Sequence, residues 1–155
     1  MAVQNHGVDD ALECAQSWRA LAGLHARIEQ RLERALQAAH RLSVVEYSVL
    51  ELLSRQERWH MRMQQLADAA VLSQSATTRL VARMEKQGLL SRYLCENDRR
   101  GIYTEVTEAG LRLLAEARPT HDQALRQAMH DAEQLPEFAG LARALRSRPA
   151  QMIES

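Results

Sequence analysis

The chain has 155 residues, 46% apolar and 26% charged, and its 20 basic and 20 acidic groups cancel to a formal charge of zero. That apolar share excludes an intrinsically disordered chain, and no apolar run approaches the roughly 18 residues that a membrane span needs. Zero net charge excludes an unstructured basic binder of nucleic acid, so affinity for an anion has to come from local charge.

Only six Gly and three Pro among many Ala, Leu, Arg, Glu and Gln predict a mainly helical chain. Cys14 and Cys95 are too few for a disulfide framework. Residues 1–10 lack the basic start and apolar stretch of a secretory signal, so a cytoplasmic protein is expected. Over residues 10–39, Leu12, Ala15, Trp18, Leu21, Ala22, His25, Ile28, Leu32 and Leu36 recur at three- and four-residue steps, which predicts one long amphipathic helix. Ser43 and Glu46 have capping-box spacing and open a second helix that ends near Arg55. Trp59-His-Met61 reads as a short edge strand and residues 64–70 as a short helix. After a tight break at Val71-Leu72-Ser73, a further helix runs over 74–87 and stops at Gly88, a natural C-terminal cap. Residues 89–95 and 102–107 read as two strands joined by a loop over 96–101. Thr107 caps a helix from Glu108 that breaks at Pro136 and ends near Arg146. Apolar stripes at both ends, with too little chain between to cover them, predict an intertwined homodimer.

Helix, tight turn, helix and charged hairpin is the order of a winged helix-turn-helix, whose second helix enters the DNA major groove. At 100° per residue Ser73, Ala76, Leu80 and Met84 face inward, with Ser73 as the N-cap, and Ser75, Thr78 and Ala82 face outward, flanked by Gln74, Arg79 and Lys86. Gln74 suits adenine, Ser75 and Thr78 suit bases or phosphates, and the small side chains allow close approach to base edges. The hairpin tip sets Arg99 and Arg100 beside Asp98. Between Arg62 and Gly101 seven basic groups face four acidic ones, a local charge of +3 in a neutral chain.

Two stretches, Thr78-Arg-Leu-Val-Ala-Arg-Met-Glu-Lys-Gln-Gly-Leu-Leu90 and Asp98-Arg-Arg-Gly-Ile-Tyr-Thr-Glu-Val-Thr-Glu-Ala-Gly110, resemble the reading helix and the wing of the MarR family of bacterial transcription regulators. The resemblance covers about residues 42–110. It implies a winged helix-turn-helix DNA-binding domain over 42–109, flanked by dimerisation helices at 10–40 and 110–148. It implies a homodimer, most simply a repressor, on a pseudo-palindromic operator, with reading helices about 34–36 Å apart. The DNA contacts it assigns are Ser73, Gln74, Ser75, Thr78, Arg79, Arg99 and Arg100, with Asp98 paired to Arg100 to hold the wing. It also implies a small aromatic or phenolic effector, for which Trp18, Leu21, His25 and Tyr47 are the candidates; core or dimer packing accounts for the same four residues. Two positions depart from the family pattern. Val71 stands where Gly is usual, and a β-branched residue tolerates positive φ poorly, so a different backbone path is expected in the turn. Met63 stands where a Ser or Thr cap is usual.

Other readings stay open. A winged helix without DNA binding could serve as a dimeric interaction module, and its outer helix face would be neutral or acidic. Cys14 could act as an oxidant sensor, although the adjacent Glu13 disfavours a thiolate; a small packed thiol is the alternative. No His-x3-His or Cys-x2-Cys spacing, phosphate-binding glycine loop or Ser-x-x-Lys occurs, so neither a metal, a cofactor nor an enzyme is expected.

Overall fold

Local hydrogen bonding sets the first joint of the chain. Helix α1 runs His6–His40 and α2 runs Val44–Ser54. Between them the Ser43 hydroxyl accepts the Glu46 amide at 3.2 Å, and Glu46 Oε2 accepts the Ser43 amide at 2.9 Å. This is the reciprocal box that the sequence predicts. Glu33 of α1 takes the Val44 amide at 2.8 Å, so side chains satisfy several of the donors that start α2. This computed structural model describes residues 6–95 and 98–147, with side chains at 9–94 and 101–147.

A single 3-10 turn at Glu57–Trp59 leads into strand β1, His60–Arg62. Helices α3, Met63–Ala69, and α4, Gln74–Lys86, follow. Strands β2, Leu90–Cys95, and β3, Asp98–Val106, precede α5, Glu108–Glu133, and α6, Pro136–Arg146. The sheet is three-stranded and antiparallel in the order β1-β3-β2, so the short strand is an edge strand as expected. It starts one residue late because Trp59 takes a φ of 57°, outside the strand region. The hairpin differs more. Asp98 pairs with Cys95, so β3 includes the four residues 98–101 that the sequence assigns to a loop; cross-strand pairing overrides the low strand preference of charged residues and glycine.

The described residues form two compact units, Glu33–Asp122 and residues 6–32 with 123–147. The first is built on Leu50, Leu53, Leu66, Val81 and Met84, all fully buried. The second has a smaller cluster of Leu24, Ala132, Phe138 and Ala142. Along α1 the inward positions are Leu24, Leu32 and Leu36, whereas Leu12, Trp18 and Leu21 of the predicted stripe stay exposed.

The turn after α3 keeps the backbone path that glycine usually serves. Val71 adopts a φ of 55°, the Leu72 amide reaches the Ala67 carbonyl at 2.9 Å, and the Val71 amide reaches Asp68 O at 3.2 Å. That is a Schellman-type helix end with valine in its left-handed position, so the expected change of path does not occur. The hydrogen bonds and the burial of Leu66 and Ala67 hold the conformation against the clash of Cβ with the backbone. Val71 is also 89% exposed and gains little from packing. Val71→Gly is therefore expected to raise stability by about 1 kcal/mol, less the entropy cost of glycine. A thermal melt checks it; an unchanged or lower midpoint would mean that the valine is not strained.

Candidate nucleic-acid interface

Helix α4 owes its position to its start and its end. The Ser73 hydroxyl accepts the Ala76 amide at 3.2 Å, as expected of the N-cap. At the far end Gly88 takes a φ of 75° and the Leu89 amide bonds Met84 O at 3.0 Å, the same closing motif as after α3 but with the residue suited to it. The buried side is Thr77, Leu80, Val81 and Met84. Thr77 and Val81 are the inward residues that the sequence reading missed, while of those expected inward Ser73 is exposed and Ala76 only half-buried. The phase of Thr77 with Leu80 and Met84 carried the signal, masked by its hydroxyl, which here donates to Ser73 O at 3.0 Å.

The predicted outer residues Gln74, Ser75, Thr78 and Arg79 are all exposed, as are Ser73 and Lys86, while Ala82 is half-buried. The Thr78 hydroxyl donates to Gln74 O at 2.9 Å. Its oxygen then offers acceptor lone pairs outward, suited to an amino group of a base. Arg83 is exposed on the same helix and bonds Glu46 Oε1 at 3.0 Å, a pairing the sequence reading did not foresee because the partners are 37 positions apart.

The wing is tied at its base to the start of α3. One face of the sheet carries His60 and Arg62 on β1, Tyr103 on β3 and Tyr93 on β2. The Tyr rings stack with centroids 5.8 Å apart. Arg62 Nε donates to Tyr103 Oη at 2.9 Å and its guanidinium lies 5.7 Å from that ring centroid. Tyr93 Oη meets His60 Nδ1. Since Arg62 is the residue before α3, this cluster joins the wing to the helix-turn-helix. Met63 is the first residue of α3, and the cap position is Arg62, whose amide donates to Gln65 Oε1 at 3.2 Å in place of a Ser or Thr cap. The side chains of Asp98, Arg99, Arg100 and Cys95 lie outside the described residues.

A threonine joins wing and α5. Thr107 Oγ1 donates to Gly88 O at 2.6 Å and accepts the Gly110 amide at 3.1 Å, capping α5 as the sequence predicts.

The four effector candidates divide between the two units. Trp18 is 66% exposed, Leu21 is exposed, and His25 is exposed with Glu29 3.7 Å away. Tyr47 is buried and stacks on His121 at 4.2 Å between centroids. Burial first, then the charges of Glu51 and Asp122, push its hydroxyl up to about 12. Cys14 is exposed. Among the described residues no group of three or more His, Cys, Asp or Glu could hold a metal ion, and no helix is long and apolar enough to cross a membrane.

Residues 42–102 match the model of the MarR family. The HTH-type transcriptional regulator MhqR of Bacillus subtilis (strain 168) is 34% identical over 82 residues, 53% of this chain and 55% of its own. The chain thus spans about half the length of that curated relative. Similarity to solved structures extends further. AbsC, a MarR family transcriptional regulator of Streptomyces coelicolor, is 34% identical, with a TM-score of 0.71 over 88% of this chain and 90% of that one. A second MarR family regulator of that organism, solved in complex with DNA, is 31% identical, with a TM-score of 0.70 over 86% of this chain and 87% of that one.

Proposed function

The chain belongs to the MarR family of transcription regulators, and on that premise we propose that it is a repressor that binds a pseudo-palindromic operator as a homodimer. The domains that serve this are a DNA-binding lobe over 42–109 and dimerisation helices over 10–40 and 110–148. The observation that carries the proposal is the outer face of α4, where Gln74, Ser75, Thr78 and Arg79 stand exposed and no large apolar side chain interrupts them. With Arg83 and Lys86 beside them this face is basic, which disfavours the interaction-module reading. In this proposal Ser73 caps the helix beside a phosphate, Gln74, Ser75 and Thr78 reach base edges, and Arg79 flanks them. Arg99 and Arg100 extend the contact from the wing, steadied by Asp98, a part that rests on the resemblance of the Asp-Arg-Arg motif. A related solved structure in complex with DNA supports the same partner for this chain.

A small aromatic effector belongs to the proposal as the signal for release. It would act by favouring a dimer whose reading helices no longer match successive grooves. The residues proposed for it, on the family resemblance alone, are Trp18, Leu21 and His25 of α1 and Tyr47 of α2.

The test is a gel shift on the promoter of the chain's own gene at two salt concentrations. The parent protein is expected to bind more weakly at the higher salt. Thr78→Ala is expected to change the ranking of operator variants by about 1–3 kcal/mol at one base pair while leaving the salt dependence alone. A uniform loss across all duplexes would confine Thr78 to the backbone, and no binding by the parent at low salt would end the proposal.

A further inference from the structure

Glu46 is 5% exposed, and both of its oxygens are engaged. Oε2 takes the Ser43 amide at 2.9 Å and Oε1 takes Nε of Arg83 at 3.0 Å. The Arg83 side chain nevertheless stays 56% exposed. A guanidinium has five N–H donors. Here the one at Nε turns into the protein, and among the described residues no second partner engages the two terminal nitrogens. Arg83 is anchored at its root and open at its fork.

Stability does not explain this arrangement. A half-exposed ion pair contributes little, while sequestering a carboxylate has a desolvation cost. Glutamine at position 46 would serve the capping box at Ser43 as well. Arg79 and Arg83 are also four residues apart on the exposed edge of α4, where like charges repel until an anion sits between them. The open planar fork, its proximity along α4 to Arg79 and the aim set from α2 all suit an anion that presents two oxygens, as the non-bridging pair of a phosphodiester does.

We propose that Arg83, aimed by the buried carboxylate of Glu46, donates its two terminal nitrogens to a backbone phosphate of the bound duplex. Arg83 is the contacting residue and Glu46 a positioning residue. The inference rests on the DNA-binding reading above and adds to it a sequence-independent contact.

Fluorescence anisotropy of an operator duplex and a scrambled duplex of equal length, titrated from about 50 to 200 mM salt, tests it. Arg83→Ala is expected to weaken both duplexes about tenfold and to lower the salt slope by about one per chain. Arg83→Lys is expected to keep the slope and to recover only part of the affinity, because lysine has no Nε donor for Glu46. Glu46→Gln separates aim from charge. Coulomb attraction alone predicts tighter binding when a carboxylate near DNA is neutralised. Loss of aim predicts weaker binding, a lower slope and no further effect in the Arg83→Ala background. The proposal is overturned if Arg83→Ala keeps the parent's affinity and slope, if Glu46→Gln binds more tightly, or if the two effects add. In each case the parent still binds, so the reading of α4 survives. A parent that ignores both duplexes overturns that reading and this inference together.

Discussion

Gly110→Ala is expected to destabilise the DNA-binding unit by about 3 kcal/mol, at the upper end of overpacking effects. Gly110 sits in the first turn of α5, and a Cβ there would lie 2.4 Å from the Leu89 carbonyl oxygen, 2.7 Å from Val106 Cγ1 and 3.3 Å from Leu50 Cδ2. The Val106 and Leu50 side chains could turn, but the carbonyl cannot. Leu89 O accepts the Thr107 amide at 3.1 Å, and the Leu89 amide is held by Met84 O at 3.0 Å. Helix α5 would have to lift off the end of α4 and lose its cap at Thr107. Helix propensity alone argues the opposite sign, since alanine is about 1 kcal/mol better than glycine inside a helix. Urea denaturation therefore decides between the two effects. A midpoint equal to or above the parent's would show that the close approach of α5 to Leu89 is not tight.

The second large effect concerns assembly. On the proposed homodimer, Trp18→Glu is expected to give a monomer and to lower operator affinity by about 100-fold or more, because two half-site contacts lose their tether. Trp18 is 66% exposed in the single chain, and Leu12 and Leu21 on the same helix are exposed too. Exposed apolar residues such as these are what the proposed dimer seam would cover, and tryptophan is prominent among residues whose loss breaks an interface. A buried glutamate there would have no counter-charge from a symmetric copy, which brings a second glutamate to the same seam. Sedimentation equilibrium and operator titration measure the two consequences, and circular dichroism confirms that the helices persist. A variant that remains a dimer at sub-micromolar concentration and binds as before would remove α1 from the proposed seam.

Much of the helix-turn-helix is written in short-range chemistry. The Ser43–Glu46 box, the Ser73 cap, the Gly88 stop and the Thr107 cap each depend on residues within a few positions of one another, so spacing alone reveals them. The Thr-Glu-Ala-Gly motif was recognisable as a pattern. Its cause, a hydroxyl tied to Gly88 and a missing side chain over Leu89, became visible only once the strands brought those groups together. Long-range placements escaped for the same reason. Glu46 was legible as a capping residue and not as the holder of Arg83. The first residues of β3 read as loop because their charges say nothing of the partner strand. Val71 read as a departure in the backbone, although the surrounding bonds impose the left-handed conformation on it regardless. The α1 stripe was legible as amphipathic, but periodicity cannot tell a face covered within the chain from one left open, and Leu36 and Trp18 fall on opposite sides of that distinction, while buried Leu24 lay outside the stripe.

Thr107 closes the segment after α4 by giving its hydroxyl hydrogen to Gly88 O and opens α5 by accepting the Gly110 amide, while the Leu89 carbonyl lies where a side chain at Gly110 would be. A single side chain is thus the rivet between the rod that would read bases and the rod that leaves the lobe. Because the Thr107 hydroxyl holds Gly88 and a Cβ at Gly110 would meet the Leu89 carbonyl, a rotation of the first turn of α5 is expected to carry the end of α4 with it.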